Sequence, residues 1–99
     1  MNRSAIRELA FKLIYSLEIQ KQEEIQEQIE LYIEANNITD KRAIKYITET
    51  IYGIDNNINE ICELINKNLK AGWEMSRVSK IDLSLLKLAI YEIKYTDVP

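Results

Sequence analysis

The chain contains no histidine, which removes together the usual general base, the usual proton shuttle and the commonest metal ligand. Its single cysteine, Cys62, has no partner for an internal disulfide, so a reducing compartment is the natural setting. With two glycines and one proline, little is available for turns and no glycine-rich phosphate loop exists. No apolar run approaches membrane-spanning length, because Lys12 and Lys87 interrupt the two best candidates. Basic residues precede an apolar segment at the N-terminus, as in a signal peptide. That segment is short, broken by Lys12 and without a small-residue cleavage site. Serines and Cys62 have no histidine to activate them. Glu23 and Glu24 point about 100° apart on a helix and do not face one another as an acid/base pair. These absences predict a cytoplasmic protein with no membrane partner, metal, cofactor or catalytic residue.

What remains is a chain of 99 residues, 46% apolar and 29% charged, the make-up of one small soluble domain. A domain of this length buries roughly two thirds of the surface its unfolded chain exposes. The net charge of −3 argues against gripping nucleic acid with the whole surface, but the charges are unevenly placed. Arg3, Arg7 and Lys12 against Glu8 make the first helix basic, whereas residues 18–34 hold six glutamates against Lys21.

Apolar residues recur at helical spacing nearly throughout, which predicts an all-α fold of five short-linked helices. The first runs from about Ser4, a plausible N-cap, to about Ile19, with a core stripe of Ile6, Leu9, Ala10, Leu13, Ile14 and Leu17. The second, about Glu23 to Ala35, buries Ile25, Ile29, Tyr32 and Ile33 and ends at Asn36 and Asn37. The third begins near Thr39 or Asp40 and uses Ala43, Ile44, Ile47 and Ile51. Gly53 within its pattern signals close packing or a bend. The fourth presents Ile58, Ile61, Cys62, Ile65 and Leu69, with Cys62 reading as a small buried hydrophobe. Trp73, in the linker that follows, reads as a plug between packed helices.

The fifth helix, from Lys80, is apolar nearly all round, as befits the centre of a bundle. Ile81, Leu85, Leu88 and Ala89 share one face, and Leu83, Leu86, Ile90 and Ile93 occupy much of the rest. Asp82, Ser84, Lys87, Glu92 and Lys94 are left as a narrow wet strip. Thr96, Asp97, Val98 and Pro99 read as the helix exit, since a residue before proline is pushed out of the helical region.

One row carries binding chemistry. Arg3, Arg7, Phe11 and Tyr15 are spaced by four, so each lies about 40° further round the first helix than the last. Guanidinium groups pair with phosphates and stack on bases, and exposed aromatic rings accept unpaired bases. The same spacing also suits rings that widen the core stripe while the arginines solvate its edge.

The string RSAIRELAFKLIY resembles the opening of the NusB family of bacterial transcription antitermination factors, with Arg3, Arg7, Glu8, Ala10 and Tyr15 on matching positions and Ile6 in place of the usual alanine. Further matches follow in order: Tyr52-Gly53-Ile54, Glu63-Leu64-Ile65, Trp73, Arg77, Asp82, Leu86-Lys87-Leu88, Tyr91-Glu92 and Asp97-Val98-Pro99. No single motif is diagnostic, but the ordered set is fairly specific.

The resemblance implies an all-helical fold of two packed three-helix subdomains and binding of the boxA element of ribosomal RNA leader transcripts. It implies a protein partner, NusE, which is also a small-subunit ribosomal protein, and a complex that keeps RNA polymerase from terminating. It implies RNA contact by Arg3, Arg7 and Tyr15, to which charge and location add Lys12. Asp82 falls on the family's NusE-facing surface; it is also suited to the N-terminal end of a helix, where it complements the dipole. Tyr91-Glu92 stands one residue closer to Asp97-Val98-Pro99 than is usual. Family members continue past that point with further helices, containing an INEAVELAK-like and an FVNG-like segment. Residues 1–99 are therefore expected to form a single NusB-like domain with its first subdomain complete and its second incomplete. Apolar surface on the fifth helix would then be exposed and prone to self-association. Two other functions fit the same residues. One is an accessory domain of an rRNA cytosine methyltransferase; the other is a helical module that binds only protein.

Overall fold

The computed structural model describes residues 1–20, 24–69, 74 and 77–96. Among them are five α-helices and no strand. These are α1 (Arg3–Ile19), α2 (Ile25–Ala35), α3 (Lys41–Asn56), α4 (Ile58–Asn68) and α5 (Lys80–Tyr95). The chain is all-α, as its periodicity indicates.

Local chemistry accounts for most of the boundaries. The cap of α1 is Asn2, not Ser4: its side-chain oxygen accepts the Ala5 N–H at 2.8 Å, serving one of the donors a helix start leaves unpaired. Asn37 ends α2 with φ 52°, a left-handed conformation that asparagine tolerates. Asp40 caps α3, accepting from the N–H groups of Arg42 and Ala43. Those hydrogen bonds hold its carboxyl below the usual carboxylate range. Ser79 caps α5 by accepting the Asp82 N–H.

The helix that packs against each of the other four is α3. Ala43, Ile47, Thr50, Ile51 and Ile54 make its buried stripe, meeting Ala10, Leu13 and Ile14 of α1 in one apolar core. Full burial of each aliphatic side chain is worth about 1.5–3 kcal/mol. Gly53 lets α5 approach: a Cβ there would lie 2.2 Å from the Tyr91 ring. The helix passes through Gly53 unbroken to Asn56, and the glycine marks close packing. Tyr32 ties α2 to α1 by donating its hydroxyl to the Leu9 carbonyl at 2.7 Å, and burial raises its pKa. Cys62 is half-buried, because the core edge of α4 is made by Ile61 and Ile65. Trp73 and the Asp97-Val98-Pro99 exit lie outside the described residues.

The face of α5 differs most from its pattern. Ser84, Lys87, Leu88 and Glu92 are buried, whereas Ile81, Leu85, Leu86 and Ala89 are exposed, and Ile93 is 82% exposed. Three residues of the wet strip, Ser84, Lys87 and Glu92, therefore face the core, while Asp82 and Lys94 stay exposed. The three do so because each polar group has a partner there: Lys87 donates to Glu18, Ser84 Oγ to the Lys80 carbonyl, and Glu92 accepts from Arg7 and Tyr46. A buried charge that is paired and hydrogen-bonded is tolerated. Glu18, nominally part of an acidic surface stretch, is 8% exposed for the same reason.

Candidate nucleic-acid interface

Helix α1 breaks an electrostatic rule at its start. Its first turn carries Arg3 and no acidic residue, although a helix N-terminus favours negative charge. Local rules tend to be broken where function requires it.

Arg3 is exposed. One turn on, Arg7 reaches α5: its Nε donates to Glu92 Oε2 at 2.9 Å and its Nη2 to Oε1 at 2.6 Å. The hydrogen bonds to Glu92 raise the pKa of this guanidinium still further. The Tyr46 hydroxyl of α3 donates to the same carboxylate at 3.3 Å, and burial raises the pKa of that phenol. The Glu92 side chain is 9% exposed and that of Arg7 45%. A guanidinium has five N–H donors; the fork on Glu92 uses Nε and Nη2, and the side chain stays half-exposed.

Phe11 and Tyr15 continue the row, both half-buried, with ring centroids 6.5 Å apart and planes 15° from parallel. They take part in both readings of the row: Phe11 packs against the core, while neither ring is fully covered. Lys12 stands about 60° beyond Tyr15 round the helix. Its ammonium lies 3.4 Å from Glu8, with both side chains more than 60% exposed. Such a pair is worth about 0.3–0.5 kcal/mol and gives way readily to a stronger anion. Arg3, Arg7, Phe11 and Tyr15 therefore form one slanting band on α1, with Lys12 beside its far end.

Asp82 lies elsewhere. It is exposed in the first turn of α5, on the outward face that also carries Leu85, Leu86, Ala89 and Ile93. Sequence reasoning missed Glu92, Tyr46 and Arg42. Arg42 adjoins Arg3 and Arg7 across a cleft between the starts of α1 and α3. A usable signal for Glu92 was an acidic residue inside a nearly apolar helix, which demands a buried cationic partner. Among the described residues, no cluster of Cys, Asp and Glu side chains is placed to hold a metal ion. No helix among them is long and apolar enough to cross a membrane.

Comparison with known proteins points the same way as the opening string. The model of the NusB family matches residues 4–99. The chain is 44% identical over 97 residues to a protein of Acetivibrio thermocellus named transcription antitermination protein NusB, covering 98% of this chain and 65% of that one. Proteins with the same name from Agathobacter rectalis and Clostridium acetobutylicum are each 39% identical, over 98 and 100 residues, covering 98% and 100% of this chain and 73% and 72% of theirs. The chain thus spans about two thirds of the length of the first of these relatives and nearly three quarters of the others. No solved structure gives a significant match.

Proposed function

Because the chain belongs to the NusB family, we propose that it is a transcription antitermination factor that binds boxA-type leader RNA of ribosomal transcripts together with NusE. It acts by binding and not by catalysis, in the cytoplasm, as part of a transcription elongation complex. The observation that carries this reading is the band on α1. Arg3 and Lys12 are exposed, the Arg7 guanidinium is held as a half-exposed fork, and Tyr15 is stacked on Phe11 with part of its surface uncovered. Arginine forks and aromatic faces together are how single-stranded RNA is held. The relatives' shared name, antitermination protein, favours neither the methyltransferase-accessory reading nor the purely protein-binding one.

Fluorescence anisotropy of a labelled boxA-type RNA, titrated with and without NusE, tests it. Binding should prefer boxA over a scrambled RNA, strengthen with NusE and weaken as salt rises. Arg3→Ala should lower affinity by about 5-fold at ~0.1 M salt, the loss of one phosphate contact on a single strand. Absence of binding to either RNA would overturn the reading.

The protein partner belongs on the outward face of α5. Asp82 offers NusE a carboxylate beside the uncovered side chains of Leu85, Leu86 and Ile93, the composition of a protein-binding patch. Without that partner, the same face brings two copies of the chain together. Light scattering after size exclusion should show a mass that rises with protein concentration, and Leu85→Glu/Ile93→Lys should remove the rise. A strict monomer at all concentrations, with no binding of a hydrophobic dye, would contradict it.

A further inference from the structure

The RNA surface does not stop at α1. Between the N-terminal ends of α1 and α3 lies a cleft of about 360 Å³ lined by Met1, Arg3, Ile6, Arg7, Arg42 and Tyr46. Three of its six lining residues are arginines and none is acidic. Two carboxylates stand near it, and both are already engaged. Glu92 is buried beneath, accepting from Arg7 and Tyr46. Asp40 caps α3 through the N–H groups of Arg42 and Ala43 and lies 3.8 Å from the Met1 amine. Among the described residues, neither Arg3 nor Arg42 has a carboxylate at ion-pair distance. Glu92 neutralises Arg7 and holds its fork in place, while Asp40 acts on Arg42 only from beyond ion-pair distance. The interior thus supplies rigidity and the rim supplies surplus positive charge.

We propose that this cleft is a phosphate-binding subsite for the backbone of single-stranded RNA, with Arg42 of α3 as a contact residue alongside Arg3 and Arg7. The inference rests on the RNA-binding reading of α1 and extends it to a second helix. Arginine forks match phosphate oxygens bidentately, and two of the three are free to turn toward the ligand. The Tyr46 ring forms part of the wall, its hydroxyl already donated to Glu92. A strand following the Arg3–Tyr15 band toward its N-terminal end runs directly into this cleft.

The test compares Arg42→Ala, Arg42→Lys and Lys67→Ala by anisotropy of labelled boxA-type RNA across a range of salt concentrations. Lys67, exposed on α4, controls for the loss of one positive charge. Loss of one phosphate contact should make the slope of log affinity against log salt shallower by about 0.7 and weaken binding by about 5-fold at ~0.1 M salt. Arg42→Ala should show both changes, Arg42→Lys should keep the slope, and Lys67→Ala should show neither. Because the Arg42 side chain is exposed and without an ion pair, circular dichroism should report an unchanged fold. Wild-type binding with Arg42→Ala indistinguishable from Lys67→Ala would overturn this subsite and leave the α1 reading intact. No binding by the wild-type chain would overturn both.

Discussion

Replacing Lys87 with alanine should lower the unfolding free energy by about 3–5 kcal/mol, the usual consequence of stranding one partner of a buried ion pair. The Lys87 and Glu18 side chains are 8% and 7% exposed and bond each other between α5 and α1. With the ammonium gone, the largely buried Glu18 carboxylate has lost its cation. The exposed Lys12–Glu8 pair is a useful contrast: the same chemistry there is worth only about 0.3–0.5 kcal/mol because water replaces either partner. Removing both charges is a different experiment. Glu18→Leu/Lys87→Met should restore stability to the wild-type level or above it, since apolar groups of similar volume avoid the desolvation cost altogether. Urea unfolding at neutral pH reads all three variants. A loss below about 1 kcal/mol in Lys87→Ala, the scale of a surface pair, would show that the pair is hydrated.

Arg7→Ala should cost more stability than its exposure suggests, about 2–3 kcal/mol, on the scale of hydrogen bonds to a charged group left unsatisfied. The asymmetry lies in the burial of the two partners. Glu92, at 9% side-chain exposure, keeps only the Tyr46 hydroxyl once Arg7 is removed. Arg7, at 45%, reaches water if Glu92 is changed. Glu92→Gln alone should therefore be milder than Arg7→Ala. The double variant Arg7→Ala/Glu92→Gln should be more stable than Arg7→Ala, because a neutral amide is cheaper to bury than a carboxylate. Equal losses in the two single variants would contradict this picture. The consequence for function is practical: weaker RNA binding by Arg7→Ala mixes a lost contact with a loosened α1–α5 junction. Arg3 and Arg42, both exposed and unpaired among the described residues, are the cleaner probes.

Periodicity alone was enough for the five helices and for most of the core, because an aliphatic stripe at a spacing of three and four has one stable use in water. Ile6, Ala10, Leu13 and Ile14 in α1, and Ala43, Ile47 and Ile51 in α3, are buried as their spacing requires. Gly53 announced a close approach, and Tyr91 is what approaches. The orientation of α5 was not legible. A helix apolar nearly all round has several faces that satisfy the hydrophobic effect. The choice among them was made by Lys87, Glu92 and Ser84, whose partners stand on other helices or one turn back. Pairings separated by 69 and 85 positions in the chain leave no local pattern to read. The candidate site divides in the same way. The α1 band follows from its four-residue spacing, whereas Arg42 joins it only because α3 begins beside α1.

The most direct test of the RNA interface is a residue-by-residue map. ¹⁵N-labelled chain titrated with boxA-type RNA in a heteronuclear NMR experiment reports which amides and arginine side chains change their surroundings. Shifts should concentrate on Arg3, Arg7, Lys12 and Tyr15 of α1 and on Arg42 at the start of α3, while Leu85, Ala89 and Ile93 of α5 stay unmoved until NusE is added. Shifts confined to α5 or to the acidic α2, with the α1 band silent, would contradict the assignment of RNA to α1 and of protein to α5.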